Sequence, residues 1–118
     1  NDYVKILEGN KTSREIASWI NSSDIFVLPS LKEGNPTVMF ESLACGKPFL
    51  GSKVGGIPDI INSKEYGFLV EPKDVNDLTE KIMVALNKKW DKDKIVEYSN
   101  NYSWKNISKK LIYYYSLF

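Results

Sequence analysis

The sequence predicts an α/β domain: a parallel sheet of about four strands flanked by helices. Three observations carry this. Short apolar runs alternate with helical patterns along the chain, the order produced by strands joined through crossover helices. One run, Asp24-Ile-Phe-Val-Leu28, is almost continuously β-branched or aromatic, which suits a central strand buried on both faces. The 118 residues, 42% hydrophobic and 26% charged, are enough for one domain with its own core.

The elements follow in order. Tyr3 to Leu7 reads as a first strand. Thr12-Ser-Arg-Glu15 has capping-box spacing and opens a helix whose buried face would carry Ile16, Trp19 and Ile20. The strand at Asp24–Leu28 ends at Pro29 and Ser30. A helix is expected from about Pro36 to Cys45, stopped by Gly46, which suits a left-handed C′ position, and Pro48, which cannot continue a helix. Phe49–Ser52 is a short strand, Val54-Gly-Gly-Ile-Pro-Asp59 a tight turn into a helical turn through Ile61, and Gly67–Val70 another strand. Asp74 caps a helix with Val75, Leu78, Ile82, Ala85 and Leu86 on one side. A further helix covers Asp91 to Tyr98. Ser103 opens the last, with Trp104, Ile107, Leu111, Tyr114 and Phe118 on a common face.

Composition excludes several chemistries. There is no histidine, so histidine acid–base catalysis, a Ser-His-Asp triad and histidine metal sites are ruled out. A net charge of +1 gives no footprint for nucleic acid. The single cysteine, Cys45, forms no internal disulfide and reads as a packing thiol. No apolar run approaches a transmembrane span and NDYVKILEGN is no signal peptide, so a soluble cytoplasmic domain is expected. Gly55-Gly56 reads as a turn, with a place bordering the ligand as the lesser alternative, and it is no dinucleotide fingerprint, since no Gly-x-Gly-x-x-Gly is present. Trp19, Trp90, Trp104 and Tyr113–Tyr115 read as packing, and the lysines as a solvated face.

The stretch Glu33-Gly-Asn-Pro-Thr-Val-Met-Phe-Glu41 is the candidate site. In parallel α/β folds ligands settle beyond the carboxyl ends of strands, and Ser30 to Asn35 leaves such an end. Asn35 is expected as the N-cap and Pro36 as the first helical residue. The backbone amides of Asn35, Thr37 and Val38 then offer an anion site, and Gly34 allows a close approach. The glutamates would repel a phosphate placed on them. They make sense as acceptors for hydroxyls at either end of a phosphate-bearing ligand, the layout of a sugar nucleotide. Spacing alone favours two solvated surface glutamates, and a two-carboxylate hydrolase is the enzymatic rival, suggested by nothing beyond the two glutamates.

From Ser23 to Pro72 the chain resembles the C-terminal half of family-four glycosyltransferases, retaining enzymes of the GT-B fold that use nucleotide sugars. The matching features are Leu28-Pro29-Ser30, the Glu33/Glu41 pair, Ala44-Cys-Gly-Lys-Pro48, Val54-Gly-Gly-Ile-Pro58 and Gly67-Phe-Leu-Val70, in the family's order and spacing. The resemblance continues more weakly through Asp74–Leu86 to Ser103–Trp104. It implies a Rossmann-like partial domain, with residues 1–118 as the latter part of the nucleotide-sugar-binding domain. Glu33 would be the catalytic-site residue contacting the transferred sugar. Gly34, Asn35, Pro36, Thr37 and Val38 would hold sugar and diphosphate, with Asn35 and Thr37 at positions that vary with the donor, and Glu41 would take the ribose hydroxyls. Gly9–Arg14 corresponds to a region near the nucleobase.

The same resemblance places the phosphate-neutralising Arg and Lys upstream of this stretch, beside a separate N-terminal acceptor domain. It implies a nucleotide diphosphate sugar as donor substrate, no cofactor, no metal ligand cluster, and room for peripheral membrane association of the intact enzyme. The two readings of function are the donor-binding part of a hexosyltransferase, inactive alone, and a non-catalytic sugar-nucleotide-binding module. In GT-B relatives the C-terminal helix crosses towards the acceptor domain, so Tyr113–Phe118 is expected to lack a full docking surface here and to favour a two-fold dimer.

Overall fold

The computed structural model describes residues 3–118. Helix α1 (Ser13–Asn21) begins at the expected capping box: the Glu15 amide donates to Thr12 Oγ1 at 3.2 Å, and the Thr12 amide to Glu15 Oε2 at 3.3 Å. Strand β1 (Phe26–Leu28) leads through a loop to α2 (Thr37–Ala44), which ends at Gly46 with φ of 72°. Strand β2 (Phe49–Ser52), the turn α3 (Ile57–Ile60) and β3 (Gly67–Val70) follow. Three helices close the chain: α4 (Val75–Asn87), α5 (Lys92–Asn100) and α6 (Trp104–Ser116). Asp74, Asp91 and Ser103 cap them, each side chain accepting from an amide three residues on.

The sheet is parallel, as expected, but it has three strands among the described residues, in the order β1-β2-β3. Tyr3–Leu7 is not a strand. Its residues are exposed and lie outside the three-stranded sheet of the described residues. The central place belongs to β2, whose four residues are all buried, while β1 is an edge strand with half-buried side chains. Phe26 aligns with Phe49 and Phe49 with Gly67, so successive residues of each strand face opposite sides in step.

That alternation divides the core. On one face Phe49 packs with Met39 and Leu43 of α2, with Ile57, Ile60 and Ile61, and with Ile95 of α5. On the other, Leu50 and Phe68 meet Ala85 and Ile82 of α4, closed by Trp90. Trp90 therefore packs as expected, its indole N–H donating to the Ala85 carbonyl at 2.9 Å. The expected α4 stripe is only partly covered, since Val75 and Leu86 are exposed. Trp19, expected on the inner face of α1, is also exposed, with the Lys5 ammonium 5.0 Å from its ring centre. The α6 stripe departs furthest. Ile107 is half-buried, but Trp104, Leu111, Tyr114 and Phe118 are exposed, as are Tyr113 and Tyr115. No described helix is long and apolar enough to cross a membrane.

One aromatic cluster fastens α5 to α3. The Tyr66 and Tyr98 rings stack at 3.7 Å and 2°. The Tyr98 hydroxyl donates to the Ile60 carbonyl at 2.5 Å and lies 3.1 Å from the Tyr102 hydroxyl. Burial first, and the Tyr102 hydroxyl second, push the Tyr98 phenol above its ordinary value of 10.0. Tyr98→Phe keeps the stack and loses the hydroxyl's bonds, so urea unfolding should show a loss of about 1–2 kcal/mol. The sign of the pH dependence follows from linkage. A raised phenol favours folding fully below the unfolded value and fades as pH climbs above it. Stability of the parent should thus fall above the ordinary tyrosine range more steeply than that of Tyr98→Phe. Parallel alkaline limbs would refute this.

Candidate functional site

Strand β1 delivers the chain to the carboxyl edge of the sheet at Leu28, and Pro29 turns it away. Ser30 Oγ then donates to Glu33 Oε1 at 2.7 Å, holding the half-buried carboxylate within its own loop. Gly34 and Asn35 are exposed. The Gly34 carbonyl accepts from the Gly56 amide at 2.8 Å, joining the loop after β1 to the turn after β2.

The cap of α2 lies one residue later than expected. Pro36, at φ −67° and ψ 126°, is the N-cap, and Thr37 is the first helical residue. Asn35 does not cap, because its side chain lies against Gly56 instead of reaching a first-turn amide. Pro36 has no polar side-chain atom with which to substitute. The consequence is chemical. The backbone amides of Asn35, Thr37 and Val38 have no acceptor among the described residues, so the positive end of α2 is left open to an anion.

The other candidates spread along α2. Val38 is half-buried, Thr37 is exposed, and Glu41 lies a turn further on, half-buried, its carbonyl accepting from the Cys45 amide at 3.1 Å while its carboxylate meets no donor among the described residues. A helix start offering amide donors, flanked by two carboxylates, suits an anion that carries hydroxyls at its ends. Arg14 belongs to a separate recess on α1, lined also by Glu15, Ser18, Trp19 and Ser22. Among the described residues no group of three or more His, Cys, Asp or Glu is disposed to hold a metal. Cys45, half-buried, forms the C-cap of α2.

Of two neighbours of this site, sequence reasoning held one only as an alternative and missed the other. Gly55-Gly56 is a turn, but one in contact with the Glu33 loop. Beside the start of α2 lies a recess of about 310 Å³ lined by Asn35, Thr37, Phe40, Tyr102, Trp104 and Ile107. Trp104, expected to pack, is 86% exposed there. The signal available was the Ser103 cap, which sets Trp104 at the first position of α6, where the first turn is still open to solvent.

A family model described as glycosyl transferases group 1 matches residues 1–102. A glycosyltransferase of Methanocaldococcus jannaschii is 35% identical over 106 residues, covering 86% of this chain and 30% of that protein. The sulfoquinovosyl transferase of Arabidopsis thaliana is 32% identical over 116 residues, 92% of this chain and 22% of that one. Among solved structures, a sucrose-phosphate synthase from Thermosynechococcus elongatus superposes with a TM-score of 0.75 at 27% identity, over 86% of this chain and 27% of that one. A glycosyltransferase from Rickettsia africae gives 0.73 at 25% identity, over 86% and 29%. The chain thus spans less than a third of each relative it matches here.

Proposed function

The chain belongs to the group 1 glycosyl transferases, and we propose that it is the latter part of the donor-binding domain of a retaining GT-B enzyme. In the intact protein a hexosyl group passes from a nucleotide diphosphate sugar to an acceptor hydroxyl. The observation that carries this reading is the uncapped start of α2, with three acceptor-free amides between Glu33 and Glu41. Breaking the bond from the anomeric carbon to the diphosphate leaves negative charge on the departing phosphate, and fixed amide dipoles stabilise that charge without reorganising. Glu33, held by Ser30, accepts hydroxyls of the transferred sugar, and Glu41 accepts those of the ribose.

An Arg and a Lys outside these 118 residues, together with an acceptor domain, complete the site in this reading. The isolated chain should therefore transfer no sugar, since each missing donor to the developing charge costs roughly 3–4 kcal/mol. Turnover by the purified chain, free of intact enzyme, would overturn this. Nucleotide-sugar binding by an intact protein that catalyses no transfer would instead favour a binding module.

The carboxylates are tested separately. In the intact protein Glu33→Gln should lower kcat by about a hundredfold or more. Glu41→Gln should weaken nucleotide binding by about 1.5–3 kcal/mol, the range for a hydrogen bond to a charged group. A 2′,3′-dideoxy nucleotide should not feel the Glu41 change, and an equal loss for both nucleotides would make Glu41 a structural residue.

The exposed aromatic end of α6 supports one more expectation. Sedimentation of the chain at micromolar concentration should show a dimer that Tyr114→Ser/Phe118→Ser returns to monomer. A parent that stays monomeric across the range removes self-association from the reading.

A further inference from the structure

The turn that follows β2 is built around the loop that carries Glu33. Gly55 has φ of 55°, in the left-handed region. A Cβ placed on it would collide with the Glu33 carbonyl oxygen and lie 2.7 Å from the Gly34 carbonyl oxygen. A Cβ on Gly56 would collide with Asn35 Oδ1 and lie 2.8 Å from Asn35 Cγ. The Gly56 amide meanwhile donates to the Gly34 carbonyl at 2.8 Å. Three consecutive loop residues, Glu33, Gly34 and Asn35, thus rest on two glycines.

The turn is the firmer partner. Its Val54 amide donates to the Ser52 carbonyl at 2.8 Å, the Asp59 amide to the Gly56 carbonyl at 3.2 Å, and the next residue, Ile57, is fully buried in the core. The loop opposite has exposed Gly34 and Asn35, with the Ser30–Glu33 bond inside it. When the two are forced apart, the loop yields.

We infer that Gly55 and Gly56 are positioning residues for Glu33, their absent side chains setting where its carboxylate meets substrate. The obstacles differ at the two positions. At Gly56 the obstacle is a side chain that can be removed, and at Gly55 it is main chain that cannot. The inference rests on the donor-binding role proposed for Glu33 and its neighbours.

The test is a double-mutant cycle in the intact protein, reading kcat and donor KM for Glu33→Gln, Asn35→Ala, Gly55→Ala, Gly56→Ala, and each glycine variant combined with Asn35→Ala. Gly56→Ala alone should lower kcat on the order of a hundredfold, the scale of an ångström-sized misplacement. Added to Asn35→Ala it should cost less than about threefold, because contacting residues are not additive. Gly55→Ala should cost the same in both backgrounds. If Gly56→Ala alone does not fold, recovery of folding and activity by Asn35→Ala supports the same conclusion. An equal loss from Gly56→Ala in both backgrounds, or a double variant that stays unfolded, overturns the positioning role while the donor-site reading stands. Full activity in Glu33→Gln overturns the donor-site reading, and this inference with it.

Discussion

Everything in this fold hangs from β2. Its four residues are buried, it is hydrogen-bonded on both sides, and its side chains supply the centre of both packed faces. Phe49 faces α2, α3 and α5, while Leu50 faces α4. A buried strand must pair all its backbone groups, and a parallel neighbour on each side is how β2 does so. With β2 fixed, the carboxyl ends of β1 and β2 lie side by side, and the loops leaving them have no choice but to touch.

That adjacency makes a site from a loop that would otherwise be solvated. The Glu33 loop leans on the Gly55-Gly56 turn, Asn35 is drawn away from the cap position, and the first amides of α2 stay open. The chemistry follows from a side chain occupied elsewhere. An Asn35 that capped its helix would occupy an amide donor that now stays open to an anion.

Much of this was legible in the sequence where the cause is local. Phe49–Ser52 and Gly67–Val70 are short apolar runs bounded by Gly or Pro, and both are strands. Thr12, Asp74, Asp91 and Ser103 announce helix starts, because capping depends on residues three apart. What failed depended on distant partners. Among the described residues Tyr3–Leu7 has strand composition but lies outside the sheet, and Asp24–Leu28 has the hydrophobicity of a central strand yet stands at the edge of that sheet. Periodicity in α6 marks a face without saying what covers it. The one-residue shift of the α2 cap was set by Gly56, far along the chain. Glu33 to Pro36 lie in the loop after β1, Thr37 and Val38 in the first turn of α2, and Glu41 a turn further along that helix.

The sheet order follows the order of the chain, β1 then β2 then β3, with α2 and α3 as the links. Each strand therefore finds its partner after one short crossover, and the entropy lost in closing that loop grows only slowly with its length. Strand pairing can start from either pair, and the two faces of the sheet then close when α5 covers Phe49 and α4 covers Leu50. In a parallel sheet, where pairing is non-local by construction, that is the cheapest route to the folded state.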